Sequence, residues 1–161
     1  MLRKPGVHMI TAGKKAPDFS LPDSSGKLVK LSDFNGKRVV LYFYPKDDTP
    51  GCTVEACGFR DMAGEYGKRG VAVIGLSPDD SASHSKFAAK YNLLFALLAD
   101  DGAKVAQKYG VWGEKQFMGR KFMGINRTTF VIGKDGKIEK IFEKVQPLGH
   151  EKEVLKWLDG N

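Results

Sequence analysis

The segment Arg38–Tyr44, RVVLYFY, constrains the fold more than any other part of the chain. It is a nearly unbroken run of β-branched and aromatic residues, so it reads as a strand buried on both faces at the centre of a sheet. Val71–Leu76 (VAVIGL) and Phe95–Ala99 (FALLA) have the same character. Helical spacing fills the gaps between these runs. Thr53–Gly67 sets Phe59, Met62, Ala63 and Tyr66 on one face, and Ser81–Tyr91 does the same with Phe87, Ala88 and Tyr91. Gly102–Tyr109 is a shorter helical pattern, and Glu151–Leu158 turns Val154, Leu155 and Leu158 inward. Thr128–Ile132 and Lys137–Phe142 flank a Gly-Lys-Asp-Gly link and read as a β-hairpin. Trp112–Asn126 has little periodicity and several glycines, which predicts a long surface loop. Strands alternating with helices imply a largely parallel α/β sheet, and the hairpin makes it mixed. The fold class expected is therefore α/β and thioredoxin-like, with a mixed central sheet and helices on both faces.

A length of 161 residues suits one domain with a substantial core. Residues 1–9 read as an N-terminal tail and 10–161 as a single domain. No apolar run approaches the ~20 residues of a membrane span. Arg3 and Lys4 are not followed by an apolar stretch, so no signal peptide is expected and the compartment reads as cytoplasmic. The 26 Lys and Arg against 19 Asp and Glu leave a net charge of +7. The basic residues are scattered, without a basic block interleaved with aromatics, so nucleic-acid binding is not expected.

Cys52 and Cys57 are the two cysteines. Two are too few for a disulfide-stapled scaffold or a four-cysteine zinc site. In a reducing compartment such a close pair signals redox chemistry or inert burial. Their context is Tyr44-Pro45-Lys46-Asp47-Asp48-Thr49-Pro50-Gly51-Cys52-Thr53-Val54-Glu55-Ala56-Cys57, directly after the central strand. Sites of open α/β sheets lie at such carboxyl ends of strands. Pro50 and Gly51 break the strand pattern, which sets Cys52 in the first turn of a helix. Free backbone N–H groups and the positive end of the helix dipole there favour a thiolate, the nucleophilic form. Thr49 can turn its hydroxyl toward the sulfur or toward a substrate oxygen, and Pro45, lacking an N–H, can wall one side of the pocket.

Geometry constrains the pair. Five residues of ideal helix give a rise of ~7.5 Å and place the two Cα atoms roughly 8–9 Å apart, beyond the ~7 Å that a disulfide spans. Either the two never bond, or the first helical turn unwinds when they do. Gly51 and Gly58 beside the pair ease rearrangement and favour the second. The spacing also departs from Cys-x-x-Cys, which makes disulfide exchange with protein partners the weaker reading.

The segment YPKDDTPGCTVEACGFRD resembles the peroxiredoxins, specifically their bacterioferritin comigratory protein (PrxQ) branch. APDFSLPDSSGK, LSDFNGKRVVLYFYP, VIGLSPDD, YGVWGEK and RTTFVIGKDGKI resemble further family blocks in the family's order, so the similarity spans roughly residues 10–160. The resemblance implies a thiol peroxidase in which Cys52 is the peroxidatic cysteine and Cys57 the resolving cysteine. Thr49 and Pro45 would be the companions of Cys52. Arg127 matches the family's active-site arginine, and Glu55 stands where a glutamate positions it. A guanidinium near Cys52 would favour the thiolate and hold a peroxide oxygen as charge develops. The implied cycle forms a Cys52 sulfenic acid, then a Cys52–Cys57 disulfide, then free thiols again through thioredoxin or a similar dithiol. The implied substrates are hydrogen peroxide and organic hydroperoxides, with no cofactor and no metal, and the implied state is a monomer. The rivals are a thiol–disulfide oxidoreductase and a binding or chaperone-like module with inert cysteines.

His8, His84 and His150 have no metal-ligand spacing and read as surface residues. Asp47 and Asp48 read as turn formers. Trp112, Phe117, Phe122 and Met123 could form an apolar rim near the site, belong to the core, or serve self-association.

Overall fold

A computed structural model describes residues 10–161; His8 and the tail expected over residues 1–9 lie outside them. The elements run β1 (Ser20–Pro22), β2 (Leu28–Lys30), β3 (Arg38–Phe43), α1 (Pro50–Asp61), α2 (Ala63–Lys68), β4 (Val71–Ser77), α3 (Ser81–Tyr91) and β5 (Ala96–Ala99). They continue with α4 (Lys104–Lys108), β6 (Trp112–Phe117), β7 (Arg120–Ile125), β8 (Thr128–Ile132), β9 (Ile138–Phe142) and α5 (His150–Asp159). The main sheet has the order β5-β4-β3-β8-β9. β3 pairs in parallel with β4, and β4 with β5, whereas β8 runs antiparallel to β3 and β9. The thioredoxin-like mixed sheet is as expected, with RVVLYFY at its centre.

β3 shows why its sequence does not alternate. Val39, Leu41 and Phe43 enter one core with Tyr109, Phe130 and Ile132. Val40, Tyr42 and Tyr44 enter the other with Phe59, Phe87 and Val154. Both sets are at most 1% exposed, so each position needs an apolar or aromatic side chain. The helical cover is uneven. α1, α2, α3 and α5 pack on the Tyr42 face, while the Leu41 face takes, among the described residues, the short α4 together with residues such as Ala16, Phe19 and Leu31.

Three expectations are corrected. Trp112–Asn126 is not an irregular loop: β6 and β7 form an antiparallel hairpin with Phe117 opposite Arg120. Met118 and Gly119 between them both have positive φ, 51° and 77°, which is the conformation of a two-residue primed turn. The helix expected over Thr53–Gly67 begins earlier, at Pro50, and breaks at Met62, where ψ is 12°. His84 and His150 are not surface residues; both are at most 2% exposed. His150 meets Thr129 Oγ1 through Nε2 at 2.8 Å and Glu153 Oε1 through Nδ1 at 2.9 Å. Among the described residues no helix is long and apolar enough to cross a membrane.

Candidate active site

The backbone of residues 44–53 carries the centre of β3 into α1. Tyr44 still bonds to β4 through its N–H, which donates to the Leu76 carbonyl at 3.0 Å. Pro45 follows, half-buried where the strand ends. Asp48 takes the left-handed conformation, φ 57°, and reverses the chain. Asp, with a short polar side chain, tolerates this better than most residues. Thr49 then caps α1: it is extended (φ −92°, ψ 155°) and its carbonyl accepts the Thr53 N–H at 2.8 Å. Pro50 occupies the first helical position, where its missing N–H costs nothing. Cys52 is the third residue of the helix, inside the first turn whose N–H groups lack carbonyl partners.

Cys52 is 1% exposed. Arg127, between β7 and β8, reaches it from across the sheet: Nη2 lies 3.3 Å from Cys52 Sγ, while Nη1 donates to Glu55 Oε1 at 2.8 Å. One guanidinium thus bridges a sulfur and a carboxylate, a use of its rigid fork that lysine cannot reproduce. Gly51 makes room for the close approach, because a Cβ there would lie 3.2 Å from Arg127 Nη2 and 3.4 Å from Pro147 Cγ, a tight fit.

Glu55 is fully buried, and its Oε2 has no hydrogen-bond partner among the described residues. Burial pushes its pKa up from 4.5 to about 7, with Arg127 opposing the rise and Glu151 adding to it. Arg127 remains charged: burial works against it, and the charges of Glu55 and Cys52 outweigh the burial. Lys115, on β6, donates to the Ile125 carbonyl at 2.7 Å, and its pKa is lowered by burial and by repulsion from Arg127.

The sequence-derived candidates separate as follows. Cys52, Arg127 and Glu55 meet. Thr49 does not point its proton at the sulfur; its hydroxyl donates to the Lys46 carbonyl at 2.8 Å, which leaves Oγ1 only lone pairs to offer. Cys57 lies half-buried on the same unbroken helix as Cys52, and both thiols are free. Gly58 has a packing role beyond flexibility, since a Cβ there would overlap the Glu151 carboxylate of α5. Phe117, Phe122 and Met123 are exposed on the β6–β7 hairpin that leads to Arg127, whereas Trp112 packs against the core.

Asp47 was expected to be a turn former and is instead buried. Its Oδ1 accepts the Tyr44 hydroxyl at 2.6 Å, and its Oδ2 lies 2.6 Å from His84 Nδ1. Sequence reasoning missed this cluster, and the Tyr44-x-x-Asp47 spacing next to the cysteine loop was the only local signal for it.

Known proteins resemble this chain in sequence and in fold. The model of the AhpC/TSA family matches residues 12–141. The chain is 51% identical to peroxiredoxin Bcp of Escherichia coli K12 over 152 residues, covering 94% of this chain and 97% of that protein. It is 48% identical to peroxiredoxin Bcp of Bacillus subtilis over 149 residues, covering 92% and 95%. Among solved structures, the bacterioferritin comigratory protein of Xanthomonas campestris, studied in trapped intermediate and ligand complexes for alkyl peroxide reduction, superposes with a TM-score of 0.87 at 34% identity over 93% of this chain and 98% of that one. Peroxidoxin BcpB of Mycobacterium tuberculosis superposes with a TM-score of 0.84 at 36% identity, covering 95% and 98%. The family acts on peroxides and draws on thioredoxin-type reductants. The chain belongs to the AhpC/TSA family, with the Bcp peroxiredoxins as its relatives, and is a thiol-dependent peroxidase.

Proposed function

We propose that Cys52 is the peroxidatic nucleophile and that Cys57 resolves it within the same chain. The observation that carries this reading is the 3.3 Å contact between Arg127 Nη2 and Cys52 Sγ at a helix start. The thiolate attacks one peroxide oxygen, the S–O bond forms and the O–O bond breaks. Cys52 becomes a sulfenic acid, and the departing alkoxide or hydroxide takes a proton and leaves as alcohol or water. Arg127 offers donors to the thiolate and to the oxygen on which charge develops, inside a site already shielded from water. Thr49, with its proton committed to Lys46, acts as an acceptor for a peroxide O–H. Pro45 closes the pocket without presenting a competing N–H. Glu55 holds the guanidinium at the correct angle.

The Cys57 thiol then displaces the sulfenic hydroxyl as water, and an external dithiol of the thioredoxin type reduces the disulfide by exchange. Residues 52 and 57 sit on one unbroken helix, so the first turns of α1 must open for this step. The substrates are hydrogen peroxide and organic hydroperoxides. The same reading takes residues 1–9 as a tail, residues 10–161 as one catalytic domain, the chain as monomeric and the compartment as the cytoplasm. A thiol–disulfide oxidoreductase is disfavoured because two cysteines locked in a helix are poorly suited to shuttling. Peroxide consumption with a thioredoxin system tests the assignment: Cys52→Ser is expected to abolish it, and full activity in that variant would refute the role of Cys52.

A further inference from the structure

The buried group beneath the catalytic loop is not used by the chemistry above. It begins at His84, on α3, which has no contact to solvent. Its Nε2 lies 2.9 Å from the Leu98 carbonyl oxygen on β5, and its Nδ1 lies 2.6 Å from Asp47 Oδ2. Both partners are acceptors. Asp47 is filled on its other sites by donors: Tyr44 O–H on Oδ1 at 2.6 Å and Ser83 O–H on Oδ2 at 2.8 Å. A ring with an acceptor at each nitrogen needs an N–H at each, which is the imidazolium. The backbone N–H of Asp47 is held too, donating to Asp79 Oδ2 at 2.8 Å, and Asp79 is fixed in turn by the Ser77 hydroxyl at 2.7 Å. One residue on, Asp48 accepts from Lys90 Nζ at 2.8 Å and from the Tyr91 hydroxyl at 3.0 Å, both on α3. Asp47, Asp79 and His84 are close enough to resemble a cation site, yet Asp47 Oδ2, Asp79 Oδ2 and His84 Nδ1 are all engaged in these bonds.

Two consecutive residues of the loop are thus tied to α3 and the turn before it, immediately upstream of the Thr49 cap. Arg127 approaches Cys52 from another element, at the β7–β8 junction. The distance between sulfur and guanidinium is therefore set by how the loop is held against α3.

We propose that His84 is a positioning residue for the peroxidase reaction: paired as an imidazolium with Asp47, it clamps loop 45–49 and so registers Cys52 against Arg127. This rests on Cys52 being the nucleophile. The clamp has a pH dependence of definite sign. Burial opposes the charge on His84, and the Asp47 and Leu98 bonds outweigh it, so its pKa lies above that of a free histidine. The charged groups around it are Asp47 and Asp79 in contact, Asp80 capping α3, Asp100 beyond Leu98, and Lys86 and Lys90 along the rim of the cavity outside Asp47. The pair is fully formed below the range in which a free histidine titrates, and it loosens as pH rises through the raised value.

The test measures the rate of the first oxidation of reduced protein by hydrogen peroxide, in competition with horseradish peroxidase, from pH 6 to pH 10. His84→Asn keeps a donor toward Asp47 and loses the charge. It is expected to react about tenfold more slowly at neutral pH, as a displaced reacting group does. It should also lack the alkaline decline that the wild type shows. Asp47→Asn should behave alike. A folded His84→Asn protein with the wild-type rate and profile would overturn the proposal. Should neither variant fold, ¹⁵N spectra of wild-type His84 decide: an imidazolium at pH 7 that titrates together with the alkaline decline sustains the clamp, and a neutral ring at pH 7 overturns it. A Cys52→Ser control that still consumed peroxide would instead break the underlying reading.

Discussion

Glu55 and Arg127 share one hydrogen bond, 2.8 Å from Nη1 to Oε1, while the second carboxylate oxygen of Glu55 is buried with no partner among the described residues. Burial makes an acid in this position easier to protonate, and its pKa of about 7 lies well above the unfolded value of 4.5. A raised value means that the folded state binds the proton more tightly than the unfolded chain does. The stabilisation is complete below pH 4.5 and is lost as pH rises through about 7. The loss is on the order of 3 kcal/mol, from a shift of about 2.5 units at ~1.4 kcal/mol each. Glu55→Gln removes this titration. Its melting temperature relative to wild type is expected to increase between pH 5 and pH 8, and a pH-independent difference would show that Glu55 does not titrate there.

Gly51 tests the guanidinium contact without altering any charge. Its missing Cβ leaves room for Arg127 Nη2, and a methyl placed 3.2 Å away must push the fork aside. Gly51→Ala is expected to lower the rate of Cys52 oxidation by about tenfold or more, while the melting temperature falls little. Unchanged peroxide kinetics would mean that the fork has freedom to move.

Gly58→Ala acts on the fold rather than the reaction. Its Cβ overlaps the Glu151 carboxylate, which must move against the well-packed contact between α1 and α5. A loss of about 1–3 kcal/mol is expected in urea denaturation. A neutral result would show that Glu151 swings away freely.

Much of this was legible in the chain itself, and the failures have physical causes. RVVLYFY declared a central strand because both of its faces are buried, and Pro50-Gly51 marked the strand-to-helix break that sets Cys52 in the first turn of α1. The β6–β7 hairpin was invisible because seven of its twelve strand residues, Glu114, Gln116, Phe117, Arg120, Lys121, Phe122 and Met123, face water without alternation. Arg127 lies 75 residues from Cys52, so only the family resemblance marked it. His84 and Asp47 are 37 residues apart, and a lone histidine on a polar helix gives no local sign of burial.

Cys57→Ser separates the two cysteine roles. The variant is expected to complete one turnover, then stall or over-oxidise in the thioredoxin-coupled assay. In the wild type, amide hydrogen exchange over residues 51–58 should be slow when reduced and should rise sharply once the disulfide forms, because α1 has opened. Sustained turnover by Cys57→Ser would remove Cys57 from the cycle.

The most direct measurement is the intact mass and thiol reactivity of the reduced protein after one equivalent of hydrogen peroxide. A loss of two hydrogens, with neither Cys52 nor Cys57 open to alkylation, is the result expected of a disulfide that closes only when its helix opens. A gain of one oxygen on Cys52 with Cys57 still alkylated after prolonged incubation, or an unchanged mass with both thiols reactive, would contradict it.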